Sequence, residues 1–312
     1  MSEIKIMYAG SDHFACQPLE VLIQAGYIPS VVLTNPDRKS GRGLKLKATS
    51  VKQLAEKNNI PTWTPMTIKT DEAFETFKAY DIDLFICVAY GKIIPSQWFE
   101  VCTALNIHPS LLPKWRGCSP VEHTILNRDQ IAGVSIIQMS AEIDAGDLLY
   151  QKQIPVKEND HTLSLGQRLF EGGADLLIEA ICAWEKDQLP ERIVQNSEKV
   201  TYAPKIAKHA GHIDWNMPAE QIDAMVRAYY DWPHAYADVE SGILKIFKTK
   251  YLLGEHQQPV GTIIDINSDG LWVRCQNGSI CIVEAQLPGK KRMQMVDILR
   301  GNQKKFQKGM QI

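Results

Sequence analysis

IDLFICVAYG, residues 82–91, and TALNIHPSLLP, residues 103–113, decide the fold. The first is an almost unbroken apolar run, the pattern of a strand covered by helices on both faces, as in parallel sheets. The second begins as another strand and ends on polar groups. Asn106 and His108 are two residues apart, so on a strand they share one face while Ile107 enters the core on the other. Pro109 and Pro113 prevent the segment from continuing as a helix or central strand. A rigid loop therefore follows a strand end.

Reading outward, EIKIMYAG (3–10) is a buried first strand and FACQPLEVLIQAG (14–26) the helix after it. SVVLTN (30–35) and SVKQLAEKNN (50–59) repeat that pair. GVSIIQM (133–139) and DLLYQKQIPV (147–156) are two later strands, with an antiparallel arrangement open to them. Residues 162–188 form a long helix in which Gly172-Gly173 marks a weak interruption or kink. Alternating strands and helices give an open, mostly parallel α/β sheet of the Rossmann type, with ligands expected beyond the carboxyl ends of the strands. The stretch from Leu189 to His209 reads as a connection. PAEQIDAMVRAYYD (218–231) is then an amphipathic helix, and residues 235–289 give short strands with turns at SG, SDG and QNG. That pattern fits a small OB-like β-barrel, a common nucleic-acid binder. The expected boundaries are 1–189 for the first domain, 190–208 for the linker and 209–312 for the barrel.

Composition excludes several classes. A 312-residue chain that is 45% hydrophobic and 22% charged, with net charge −2, is neither disordered nor collagen-like. No apolar run nears the roughly 20 residues of a membrane helix, and MSEIKIMYAG, without a basic start or cleavage site, is not expected to be a signal peptide. Its seven cysteines include no CxxC pair, so reduced thiols in a cytosolic protein are expected. Charge is distributed unevenly. Residues 1–198 hold 19 lysines and arginines against 25 acids, whereas 199–312 hold 15 against 11. The loop 35–52 carries Arg38, Lys39, Arg42, Lys45, Lys47 and Lys52 against Asp37, with Gly41 and Gly43 making it mobile. A basic loop and a basic tail (Lys290, Lys291, Arg292 and beyond) suit a polyanionic partner, and solvated surface is the alternative.

Asn106, His108 and Asp144, the last in IDAGD (143–147), supply the chemistry needed to move an acyl group onto an amine. An amide can hold an oxyanion, an imidazole can handle protons, and a carboxylate can orient the imidazole. The plainer reading is a structural histidine and a turn aspartate. Cys118 as a nucleophile lacks a nearby base. His209 and His212 read as a surface pair rather than metal ligands. The first strand ends AGSDHFA, not GxGxxG, which removes the dinucleotide-binding fingerprint.

NIHPSLLPKWRG (106–117) with GVSIIQMSAEIDAGDLL (133–149) resembles the formyltransferase family that uses 10-formyltetrahydrofolate. The basic loop, VTYAPKI (200–206), DWPHAY (231–236) and PGKKRM (288–293) are similar to the branch acting on methionyl initiator tRNA. That resemblance implies Asn106, His108 and Asp144 as catalytic. It also implies a folate site along Ser110, Leu111, Leu112 and Pro113 with the backbone near Val88, Tyr90 and Gly91. It assigns Arg38, Arg42, Lys45 and Lys47 to the tRNA acceptor end and Lys290, Lys291 and Arg292 to its backbone. A cytoplasmic monomer without metal or membrane association is expected. Ser11-Asp12-His13 departs from the family's proline-containing turn. An aminosugar formyltransferase and a non-enzymatic nucleic-acid binder are the competing readings.

Overall fold

The computed structural model describes residues 4–40, 45–302 and 304–312. In chain order the strands of the first half are β1 (Ile6–Gly10), β2 (Val31–Leu33), β3 (Arg38–Ser40), β4 (Lys45–Lys47), β5 (Thr62–Trp63), β6 (Leu84–Val88), β7 (Thr103–His108), β8 (Arg116–Gly117), β9 (Ile131–Gln138) and β10 (Leu148–Pro155). Helices α1 (Cys16–Gln24), α2 (Ser50–Lys57), α3 (Asp71–Ala79), α4 (Pro120–Leu126) and α5 (Thr162–Glu185) lie among them. Then come β11 (Tyr202–Ala203), α6 (Ala219–Ala228), β12 (Ala235–Val239), β13 (Gly242–Leu253), β14 (Ile263–Asn267), β15 (Gly270–Cys275), β16 (Gly278–Gln286), β17 (Met293–Gln294) and α7 (Met295–Gly301).

Seven strands form one sheet in the order β10-β9-β7-β6-β1-β2-β5. β5, β2, β1, β6 and β7 run parallel, while β9 is antiparallel to β7 and β10 to β9. The chain steps outward from β1 in one direction and resumes at β6 on β1's other side. The crevice beyond these two carboxyl ends is thus a topological switch point, where ligands of open α/β sheets bind. The turn after β1 is tied to the turn after β6 there, because the Ser11 and Asp12 N–H groups both donate to the Ala89 carbonyl at 3.3 and 3.2 Å.

One face of this sheet packs on Phe77, Phe85, Tyr90 and Trp98. Trp98 stacks on Phe77 at 4.1 Å and meets Phe85 edge-on at 5.9 Å. Each such fully buried aromatic contributes about 1.5–3 kcal/mol through lost apolar exposure. Cys87 and Ala104 belong to the same cluster. Cys87 pairs in register with Asn106, so Asn106 emerges at the edge of that layer. Helix α3 has a local start signal: Thr70 caps it through the Ala73 N–H, and Asp71 and Glu72 fill its first turn.

Helix α5 covers the opposite face and runs unbroken for 24 residues through Gly172-Gly173. The expected interruption does not occur, and close packing explains the glycine at 173. A Cβ on Gly173 would lie 2.6 Å from Ile107 Cγ2 and 3.0 Å from Val134 Cγ2. The missing side chain lets the helix lie directly on the residue between Asn106 and His108.

The chain divides into two compact units: 1–120, 131–156 and 166–204 form the first, and 121–130, 157–165 and 205–312 the second. The second unit is built on an antiparallel sheet ordered β12-β13-β16-β15-β14, with β17 added beside β16. Two earlier segments join it through specific bonds. Gln221 donates to the Leu126 carbonyl at 2.9 Å, Arg227 to the Asp160 carbonyl at 3.0 Å, and Thr162 to the Ala228 carbonyl. No helix among the described residues is long and apolar enough to cross a membrane.

Candidate active site

Asn106 and His108 leave β7 on one face, as strand geometry requires, and both approach one carboxylate oxygen. Asn106 Nδ2 lies 3.4 Å from Asp144 Oδ1, and His108 Nδ1 lies 3.5 Å from the same atom. The second carboxylate oxygen accepts the Gly117 N–H at 2.9 Å. His108 is only 4% exposed, and its Nε2 lies 2.9 Å from the Trp115 carbonyl oxygen. A neutral imidazole carries one N–H, so it can donate to Asp144 or to Trp115 but not to both.

Backbone geometry brings these groups together. Asp144 has φ of 54°, the left-handed region that short polar side chains tolerate best. Gly117 has φ of 121°, and a Cβ there would meet the Ala203 carbonyl oxygen at 2.7 Å. The glycine lets β8 pair closely with β11 while its N–H faces Asp144.

The Ser110–Pro113 loop is held from β9 and β10. Ser135 Oγ donates to the Ser110 carbonyl at 2.6 Å and accepts from Leu112 N–H at 3.2 Å. Gln151 Nε2 donates to Ser135 Oγ and to the Leu112 carbonyl, both at 2.9 Å. Ser110 and Leu112 are buried, and Leu112 packs with Ile137 and Leu148. Leu111 lies against Gly133, and Leu112-Pro113 is a cis peptide. Val88, the last residue of β6, and the Tyr90 side chain are buried in the core beside the switch point. The Tyr90 carbonyl there accepts Asn35 Nδ2 at 3.0 Å, whereas exposed Gly91 turns outward at φ of 79°.

Cys87, beside Asn106, has its thiol pushed up to about 12 by burial and, second, by the charge of Asp144. It is therefore a neutral, unreactive neighbour. All seven cysteines are free, and Cys118 is exposed. No cluster of metal-ligating side chains occurs among the described residues.

The basic loop contains a hairpin in which Arg38 pairs with Lys47 and Ser40 with Lys45. Arg38, Lys39 and Lys47 are exposed, whereas Lys52 is paired with Asp37 at 2.8 Å. Arg42, Gly41 and Gly43 lie outside the described residues. In the second unit Lys290 and Lys291 are exposed, but Arg292 is engaged by Glu284. Pattern reading gave no role to Arg116, Ser135, Gln151 or Gln195. Arg116 was within view in NIHPSLLPKWRG. Gln195 carried no sequence signal, because its partners are about 50 and 80 positions away.

The strand order and this amide–imidazole–carboxylate group define a class, and sequence comparison gives the same one. Residues 7–181 match the family described as formyl transferase, and residues 205–303 match the formyl transferase C-terminal domain. The chain is 35% identical over 311 residues to methionyl-tRNA formyltransferase of Marinobacter nauticus, covering 99% of this chain and all of that one. It is 37% identical over 301 residues to the Methylococcus capsulatus enzyme of the same name, covering 96% and 97%. The chain belongs to the methionyl-tRNA formyltransferase family of formyl transferases.

Solved structures share the fold at lower identity. An N-formyltransferase from Helicobacter canadensis, bound to folinic acid and dTDP-3-aminofucose, superposes with TM-score 0.67 at 20% identity, over 89% of this chain and 99% of that one. HypX from Aquifex aeolicus, bound to tetrahydrofolic acid, gives 0.64 at 17% identity over 96% of this chain. This chain spans 47% of that longer protein.

Proposed function

We propose that Asn106, His108 and Asp144 form the site at which a formyl group passes from 10-formyltetrahydrofolate to the α-amine of methionyl initiator tRNA. One observation carries the assignment of residues: an amide and an imidazole converge on Asp144 Oδ1 at 3.4 and 3.5 Å. The acceptor follows from full-length relatives that bear the methionyl-tRNA formyltransferase name.

In this reading Asn106 offers an N–H to the formyl oxygen as that atom becomes an oxyanion. Such a donor stabilises the developing charge because it is already oriented. Asp144 orients His108 and accepts the proton leaving the amine, directly or through water. His108 donates to the same oxyanion by exchanging its contact with the Trp115 carbonyl, or relays the proton. The methionyl nitrogen attacks the formyl carbon to give a tetrahedral intermediate, whose collapse breaks the bond to the folate nitrogen, and the proton taken from the amine leaves on that nitrogen. Ser110–Pro113 and the backbone of Val88, Tyr90 and Gly91 line the donor site. The folate's ring system fits the crevice chemically: Asn35 Oδ1, at the end of β2, is a buried acceptor without a partner among the described residues. A pterin presents the N–H groups such an acceptor pairs with.

Residues 1–189 carry transfer, 190–208 connect, and 209–312 engage tRNA. Arg38, Arg42, Lys45 and Lys47 address its acceptor end, and Lys290 and Lys291 its backbone. A formyl-transfer assay with 10-formyltetrahydrofolate and charged initiator or elongator tRNA, with a dTDP-aminosugar as competitor acceptor, tests the reading. Salt-sensitive formylation of initiator methionyl-tRNA is expected. Preference for the aminosugar would overturn it.

A further inference from the structure

Residues 193–195 invert the usual sorting of side chains. Ile193 and Val194 are 62% and 78% exposed, while the amide side chain of Gln195 is placed inside at 7%. Aliphatic residues are normally buried and glutamine is normally exposed, so the inside position serves hydrogen bonding. Ile193 anchors the segment by exchanging two backbone bonds with Leu148, at 2.9 and 3.0 Å.

Gln195 uses both ends of its amide. Oε1 accepts from Arg116 Nε at 3.0 Å. Nε2 donates to the carbonyls of Asp144 at 2.8 Å and Gly146 at 2.7 Å. Arg116, itself 7% exposed, reaches on to Glu142 with Nη1 at 3.1 Å. The loop 142–146 is thus gripped on both sides of Asp144, and the next residue after Arg116 supplies the N–H that holds the Asp144 carboxylate. Without these bonds an aspartate in left-handed backbone has little to keep it there.

We infer that Gln195 and Arg116 are positioning residues that fix the Asp144 carboxylate toward Asn106 and His108. The inference rests on the proposed role of Asp144 in transfer. It makes the 193–195 segment, within the first unit, part of the transfer machinery.

The test uses single-turnover formylation by the full chain, so that slow variants remain measurable. Gln195→Met keeps length and volume but loses both ends of the amide. Its rate should fall on the order of 10- to 100-fold, as displaced catalytic groups do, with both substrate KM values within about twofold of wild type. Gln195→Glu retains the acceptor for Arg116 but sets a carboxylate against two carbonyl oxygens, and should be equally impaired. Should Gln195→Met fail to fold, Gln195→Glu carries the same cycle.

The decisive arm repeats the substitution in an Asp144→Asn background. A residue acting through Asp144 adds no further loss there, whereas a general structural fault adds its full loss. An additive loss, or wild-type rates in both Gln195 variants, overturns the inference alone. Wild-type turnover by Asp144→Asn itself would instead overturn the role of Asp144, and the inference with it.

Discussion

Arg292 grips Glu284 with two parallel bonds, Nε to Oε1 and Nη2 to Oε2, both 2.6 Å long. Its guanidinium also lies over the rings of Tyr230 at 4.7 Å and Phe247 at 4.3 Å. The basic stretch PGKKRM therefore presents two exposed lysines and one paired arginine. Replacing Lys290 or Lys291 with Ala should each reduce the slope of log affinity for tRNA against log salt by about 1. Arg292→Ala should cost about 1–3 kcal/mol of stability, seen in denaturant unfolding, because it strips a carboxylate of its partner. An Arg292→Ala chain of normal stability but shallower salt slope would return that residue to the phosphate contacts.

Gly173→Ala places a methyl group 2.6 Å from Ile107 Cγ2. The helix gains up to about 1 kcal/mol in propensity, but overpacking a core costs roughly 1–3 kcal/mol. A net loss of stability is expected, together with a slower transfer rate, since Ile107 sits between Asn106 and His108. A more stable, fully active variant would show that α5 does not set the position of β7.

His161 and His234 both have pKa values lowered from 6.5, in each case first by burial. The folded chain therefore holds fewer protons than the unfolded chain in the window below 6.5. Stability rises with pH where the unfolded state binds more protons, so this contribution is present above 6.5 and is lost as pH falls through that window. Melting temperatures should drop on acidification from about pH 7.5 to about pH 5.5, above the carboxylate range. His161→Phe, which preserves the 3.8 Å stack on Tyr230, should flatten the curve. A melting temperature that climbs on acidification would contradict the sign.

Thiol reactivity should follow burial. Cys87 and Cys281 are pushed up to about 12, and Cys16 and Cys102 to about 11, with burial the leading cause in each. Cys118 is the exposed one. Brief alkylation of the folded chain followed by peptide mass analysis should label Cys118 first and leave Cys87 and Cys281 unmodified. Early labelling of Cys87 would mean that the β6–β7 edge opens.

Much of this architecture is legible in sequence because its signals are local. A nearly continuous apolar run announces β6, and the spacing of Asn106 and His108 on β7 fixes their common face. Helix α3 was missed despite its Thr70 cap. Gly172-Gly173 suggested an interruption because helix propensity is local, while the contact with Ile107 that demands Gly173 is not. Gln195 illustrates the same limit more sharply. Its neighbours in sequence suggest an exposed connection, and only the folded chain brings it to Asp144 and Arg116. The pairing of Arg292 with Glu284 is likewise not announced locally, because that partner lies eight positions back on β16.

Single-turnover formylation of methionyl initiator tRNA by Asn106→Ala, measured beside folate binding by the same variant, examines the proposed site itself. Removal of one oriented oxyanion donor should slow transfer by about 10²- to 10³-fold while leaving donor affinity nearly unchanged. Wild-type transfer by Asn106→Ala would contradict the assignment of Asn106, His108 and Asp144 as the place where the formyl group changes hands.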